Sequence, residues 1–148
     1  MVRVEPLMHL ELTVGPPLDV GLVDGIGRRL IPILGGKVTG NYSGMVLPGG
    51  ADWQLVRSDG TLEIEARYIL ELSNERVEVD SRGIRHGPPG VLERLALGVP
   101  VDPTSYYFRT VIRFATASAA LSDLNHMLAL ARGERHRDKV LLAVHEVE

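Results

Sequence analysis

Hydrophobic and polar residues alternate one for one along several stretches of this chain. In TLEIEARYIL, Leu62, Ile64, Ala66, Tyr68 and Leu70 fall on one side, and Glu63, Glu65, Arg67 and Ile69 on the other. A two-residue repeat of this kind is a strand with one face buried. ERVEVDS repeats the pattern, with Val77 and Val79 opposed to Glu78 and Asp80, and the short polar Ser73-Asn74 between the two runs predicts a hairpin. SYYFRTVIRFATA and DKVLLAVHEVE read as two more long strands, and further strands are expected over residues 7–14, 29–34, 37–47, 52–57 and 126–132. One segment has a helical repeat instead. PPGVLERLALG opens on prolines suited to a first turn, carries Val91, Leu92, Leu95 and Ala96 as a stripe, and closes on Gly98 as a C-terminal cap. A second short helix is expected over residues 119–125.

About nine strands and one clear helix, punctuated by Gly and Pro, give a mostly β architecture. An open sheet of that size would leave bare strand edges, and closure into an antiparallel barrel removes them, so a barrel is favoured over a sandwich. No linker, repeat or low-complexity tract divides the chain, and residues 1–148 are expected to form a single barrel domain.

Composition narrows the function classes. With 45% hydrophobic and 24% charged residues the chain has the balance of an ordinary soluble globule. A net charge of -3 argues against general nucleic-acid binding, which needs a basic face to displace counterions. The local basic clusters RGIRHGPP and GERHRDK read as solvated surface. The absence of cysteine removes disulfides, thiolate nucleophiles and zinc-thiolate sites. No apolar run has the length of a membrane span or the layout of a signal peptide, so a cytoplasmic protein without a membrane partner is expected. There is no phosphate-binding loop, nucleophile elbow or metal-binding His-Glu helix, and the Gly25/Gly27 pair lacks the third glycine of a dinucleotide fingerprint. Glu134, His136 and His145 read as a polar face rather than a metal site, and neither metal nor cofactor is expected.

The stretches LTVGPP, GRRLIPILGG, GGADWQLVRSDG, EARYIL, RGIRHGPP, VDPTSYYFRT and GERHRDKVLLAVHEV follow one another over nearly the whole chain. In them the chain resembles a family of small bacterial and fungal proteins catalogued as domain of unknown function 3237, also called uncharacterised protein family 0311. The resemblance implies a compact antiparallel β-barrel similar to the allene oxide cyclase and dirigent barrels, and implies little about activity. It also marks a departure. Asp123 stands where family members usually carry an aromatic residue just before Leu-Asn, which would make a ligand pocket near Asp123 and Asn125 wider or more polar.

The candidate site residues lie on the strands and loops just described. Asp52 follows the Gly49-Gly50 pair and precedes the only tryptophan, Trp53. It either caps the turn by accepting from nearby amides or stands at a barrel rim as a proton-transferring carboxylate. Strand neighbours face opposite ways, so if Asp52 enters the lumen Trp53 is outside, and the reverse. Tyr68 shares the apolar face of its strand. Arg67 belongs either to cross-strand ion pairs or to a lumen holding an anionic ligand. In YYFRT, Tyr106, Phe108 and Thr110 read as core, while Tyr107 and Arg109 read either as a core or interface ladder or as a polar-aromatic site wall able to hold an enolate or phenolate. His86, in a Gly-Pro loop, is either surface or a proton shuttle.

These residues suit a cofactor-independent acid-base enzyme, a cyclase, isomerase or lyase acting on a polyketide-like or other carbonyl-containing small molecule. Asp52, Tyr107, Arg109 and Arg67 are its candidate catalytic groups. Trp53, Tyr68, His86, Asp123 and Asn125 are its candidate binding groups. The alternatives are a non-catalytic ligand-binding barrel and a structural oligomer whose patterned outer face packs against another copy. A homo-oligomer, a dimer or larger, is expected, and an apolar patch on both faces of TVIRFATA suits one.

Overall fold

The computed structural model describes residues 1–148. In chain order the strands are β1 (Met8–Val14), β2 (Leu18–Val23), β3 (Ile26–Gly40), β4 (Gly44–Val46), β5 (Gly50–Val56), β6 (Leu62–Leu72), β7 (Glu75–His86), β8 (Tyr107–Thr116), β9 (Leu128–Arg135) and β10 (Lys139–Val147), with one helix, α1 (Pro89–Ala96), between β7 and β8. Every pairing is antiparallel, and β1 pairs with β10 on one side and β3 on the other, which closes the sheet. β4 and β5 share one place between β3 and β6, so the wall is a closed eight-stranded barrel. β2 pairs only with the first half of β3 and continues past the barrel as an edge strand.

Alternation in sequence becomes inside and outside in the wall. β6 buries Leu62, Ile64, Ala66, Tyr68, Leu70 and Leu72 and turns Glu65 and Arg67 to solvent. Burying each large apolar side chain contributes about 1.5–3 kcal/mol. The β6–β7 turn at Ser73 and Asn74 has φ of 49° and 64°, the left-handed pair whose twist suits a tight hairpin. Helix α1 places proline in its first turn, buries Val91 and Leu95, and stops before Gly98 at φ 73°.

Several elements differ from the sequence expectation. Residues 29–34 and part of 37–47 belong to one fifteen-residue strand, β3, which runs through Gly35 and Gly36. Its inward positions are Ile31 and Ile33 before the glycines and Val38 after them, so the two-residue phase resets there, opposite an irregularity in β1 between Thr13 and Val14. Gly36 is obligatory at this crossing. A Cβ on it would lie 1.9 Å from the Glu11 carbonyl oxygen, and its φ is +151°. β2 has no counterpart in the sequence reading, because Gly21 interrupts its repeat and most of its apolar side chains remain exposed. The second helix is a single 3-10 turn, Ser122–His126. β7 and β9 both run further than expected, to His86 and Arg135.

The barrel interior is filled at one end only. Met8, Leu10, Val38, Leu70, Val77, Val79, Ile112 and Val144 pack there with almost no exposure, and Leu124 of the 3-10 turn seals the opening. At the other end lie the β1–β2 connection, the β9–β10 turn and the C-terminus of α1, and these surround a cavity.

Candidate functional site

The cavity has a volume of about 380 Å³, and its apolar lining includes Leu12, Ile31, Ile33, Ile64, Phe108 and Leu142. Phe108 is held flat against β9 because Gly133 has no side chain: a Cβ there would sit 2.7 Å from the ring. The polar lining is built by strand phase. On β5 the inward positions are Asp52 and Gln54, and Trp53 between them lies outside, 59% exposed. On β7 the inward series Val77, Val79, Ser81 continues to Arg85, on β9 Ala129, Ala131 and Gly133 lead to Arg135, and on β3 Ile33 and Ile31 lead back to Arg29.

A short chain of hydrogen bonds fixes the carboxylate. Arg29 Nε donates to Gln54 Oε1 at 2.8 Å, Gln54 Nε2 donates to Asp52 Oδ2 at 2.7 Å, and the Glu65 backbone N–H donates to Asp52 Oδ1 at 3.2 Å. Burial nevertheless raises the Asp52 pKa above the ordinary 3.8, against the lowering effect of those two donors and of Arg85 and Arg29. Tyr68 is fully buried, its hydroxyl has no partner, and burial together with the Asp52 charge pushes its ionisation well up.

Three guanidinium groups face the same space without a carboxylate partner. None of the ion pairs in the structure includes Arg29, Arg85, Arg135 or Asp52. Arg85 Nε and Arg135 Nη1 are buried and unbonded. Arg85 is pushed down to about 10, first by burial and then by the charges of Arg135 and Arg29. Arg29 and Arg135 are also lowered, in both cases chiefly by burial. At the mouth, Arg137 and Asp138 add one charge of each sign.

The structure therefore brings Asp52 and Tyr68 of the sequence-derived candidates to one cavity and places the others elsewhere. Arg67 is on the outer wall, ion-paired with Glu78. Tyr107 and Arg109 also face outward, the guanidinium 5.1 Å from the tyrosine ring centroid. His86 is exposed at the end of β7, with Nδ1 2.6 Å from Thr61 Oγ1. Asp123 is exposed on the 3-10 turn at the sealed end, and Asn125 ties that turn to β8 by accepting from the Thr116 N–H and donating to its carbonyl. Arg29, Gln54, Arg85 and Arg135 were not among the sequence candidates. Extending the two-residue phase from the buried apolar neighbours finds Arg29, Arg85 and Arg135; on β5 the apolar Ala51, Trp53 and Leu55 take the opposite phase, so Gln54 gives no such signal.

The family model described as "Protein of unknown function (DUF3237)" matches residues 2–147. A UPF0311 protein of Bradyrhizobium diazoefficiens is 46% identical over 125 residues, 83% of this chain and 82% of that protein. The crystal structure of a conserved protein of unknown function from Rhodopseudomonas palustris superposes with a TM-score of 0.92 at 38% identity, covering 100% of this chain and 98% of that one. A structure described as an enzyme from Penicillium herquei superposes with a TM-score of 0.74 at 21% identity, over 99% of this chain and 95% of that one, and shares the fold. With its model matched almost end to end, the chain belongs to the DUF3237, or UPF0311, family.

Proposed function

We propose that the chain is a cofactor-independent acid-base enzyme that isomerises, cyclises or eliminates from a carbonyl-containing small molecule, polyketide-like or similar, bound in the barrel. The observation that carries this reading is the convergence on one cavity of a carboxylate with a raised pKa (Asp52), an unpartnered hydroxyl (Tyr68) and unpartnered guanidinium groups (Arg85, Arg135). A carboxylate whose pKa is lifted toward neutrality is a better base, and fixed donors are worth most where negative charge develops in a dry site.

In this mechanism the substrate carbonyl oxygen accepts from Tyr68 Oη and lies against the Arg85 guanidinium. Asp52 removes a proton from the adjacent carbon, and the C–H electron pair moves to the oxygen as an enolate. Returning the proton at another carbon completes an isomerisation. Expelling a leaving group at the β carbon completes an elimination, and attack of the enolate or a phenolate on a second carbonyl closes a ring. Gln54 and the Glu65 amide hold the carboxylate in place throughout.

The test is a panel of β-diketones and β-keto acids in D₂O, followed by proton NMR for deuterium uptake or ring closure. The wild-type chain is expected to accelerate at least one compound, and Asp52→Asn to lose about a hundredfold or more of that rate. Undiminished turnover in Asp52→Asn, or compounds that bind the cavity and are never turned over, would refute the reading. The second result would favour a carrier, which the apolar part of the lining also suits.

A further inference from the structure

We propose that the molecule held in this cavity is an organic acid carrying two anionic oxygens, a carboxylate together with either a second carboxylate or an ionisable enol or phenol, and that Arg135 and Arg85 grip them. The proposal rests on the reading that the cavity is the working site, but not on Asp52 acting as a base.

The charge inside the barrel supports it first. Arg29, Arg85 and Arg135 stand against Asp52 alone, an excess of two positive charges, while Arg137 and Asp138 cancel at the mouth. Other arginines of the wall, Arg67 and Arg82 among them, are paired with carboxylates although they are exposed and need it less. Inside, where an uncompensated charge is far more costly, none is paired. The hydrogen bonding supports it independently. Arg85 Nε and Arg135 Nη1 are buried, have no acceptor, and lie on strands on one side of the lumen, with β8 between them. Guanidinium forks of this kind match the two oxygens of a carboxylate.

The rest of the lining decides what sort of anion. Leu12, Ile31, Ile64 and Phe108 offer no donor, and Phe108 stands directly across from Arg85 in the β7–β8 pairing, so a bare inorganic ion would leave them wet, whereas an acid with a flat apolar body covers them. Asp52 lies among the arginines without neutralising them and competes with the ligand for their field.

Isothermal titration with benzoate, terephthalate, benzamide and inorganic phosphate tests this on the intact chain at low ionic strength. Benzoate is expected to bind at least about tenfold tighter than its neutral isostere benzamide, and terephthalate at least as tightly as benzoate. Arg135→Gln and Arg85→Gln are each expected to reduce the benzoate-to-benzamide ratio by about tenfold or more, and Asp52→Asn to strengthen the binding of both acids. Circular dichroism establishes that each variant is folded, and the less buried Arg135 keeps the test open if the Arg85 change prevents folding. Equal binding of benzoate and benzamide, a ratio unchanged in a folded arginine variant, or phosphate binding as tightly as terephthalate would overturn the proposal. These probes are not turned over. Acid-selective binding with no catalysis on any carbonyl compound would sink only the enzymatic reading, and catalysis with no preference for acids would sink only this one.

Discussion

Replacing Arg85 with methionine should make the protein more stable, not less. The side chain is buried, its Nε has no acceptor, and its pKa falls well below the ordinary arginine range to about 10, first because of burial and then because of Arg135 and Arg29. Every tenfold loss of proton affinity corresponds to about 1.4 kcal/mol, so holding the guanidinium charged in the fold costs about 3 kcal/mol. The sign follows from where the proton is held. Above the unfolded value both states are neutral and there is no penalty. As pH falls through the folded value the unfolded chain is already charged, and below about 10 the penalty is fully in force. Around neutrality the gain in Arg85→Met should therefore be nearly independent of pH. Methionine keeps much of the aliphatic stem, so little packing is lost. Urea unfolding by far-UV circular dichroism is expected to give a rise of about 2–3 kcal/mol at unchanged m, or roughly 5–10 °C in Tm. Arg67→Met on the outer wall, where the ion pair is solvent-screened, should leave stability nearly unchanged. An Arg85→Met protein that is folded but equal to or weaker than the wild type would refute the reasoning, because it would mean the buried charge is already compensated.

Asp52 predicts a pH effect of its own. Its folded pKa is raised, so the stability it contributes is fully present below the unfolded value of 3.8 and is lost as pH rises through the folded value. In a series of thermal melts the stability of Asp52→Asn relative to the wild type should climb from acid toward neutral pH, and a flat difference would contradict the burial argument. Gly36→Ala forces a Cβ within 1.9 Å of the Glu11 carbonyl oxygen at the β1–β3 crossing and should cost at least about 2 kcal/mol in urea unfolding. Edge strand β2 exposes Leu18, Val20 and Leu22, at 63%, 67% and 79%, beside unpaired backbone, so the chain should self-associate. Light scattering after gel filtration should show a mass above that of one chain, reduced by Leu22→Lys, and a monomer in both would dismiss the idea.

The wall of the barrel was legible in the sequence because apolar alternation needs no partner to be seen: TLEIEARYIL alone orients β6. The lining of the cavity was harder to read because residue type misleads where phase does not. Ser81 and Gly83 end the apolar run of β7, so Arg85 reads as part of a basic surface cluster although it is two steps further along the same inward series. Arg135 is hidden in the same way behind Gly133. Conversely, Tyr107 and Arg109 look like a site by composition, yet Phe108 and Thr110 hold the inward positions. The phase reset at Gly35-Gly36 could not be read at all, since it depends on the approach of β1, which lies far away in the chain.

The seam of the barrel bears on how the chain reaches its shape during synthesis. β1 pairs with β10 in a register that sets Met8 opposite Val144, so the first strand made waits for the last. Until residues 139–147 have left the ribosome, β1 and β9 are open edges and the apolar interior is accessible from one side. Closure by such distant segments is slow compared with hairpin formation. A nascent or truncated chain lacking β10 is thus an aggregation-prone species, and the final nine residues of the wall act as its latch.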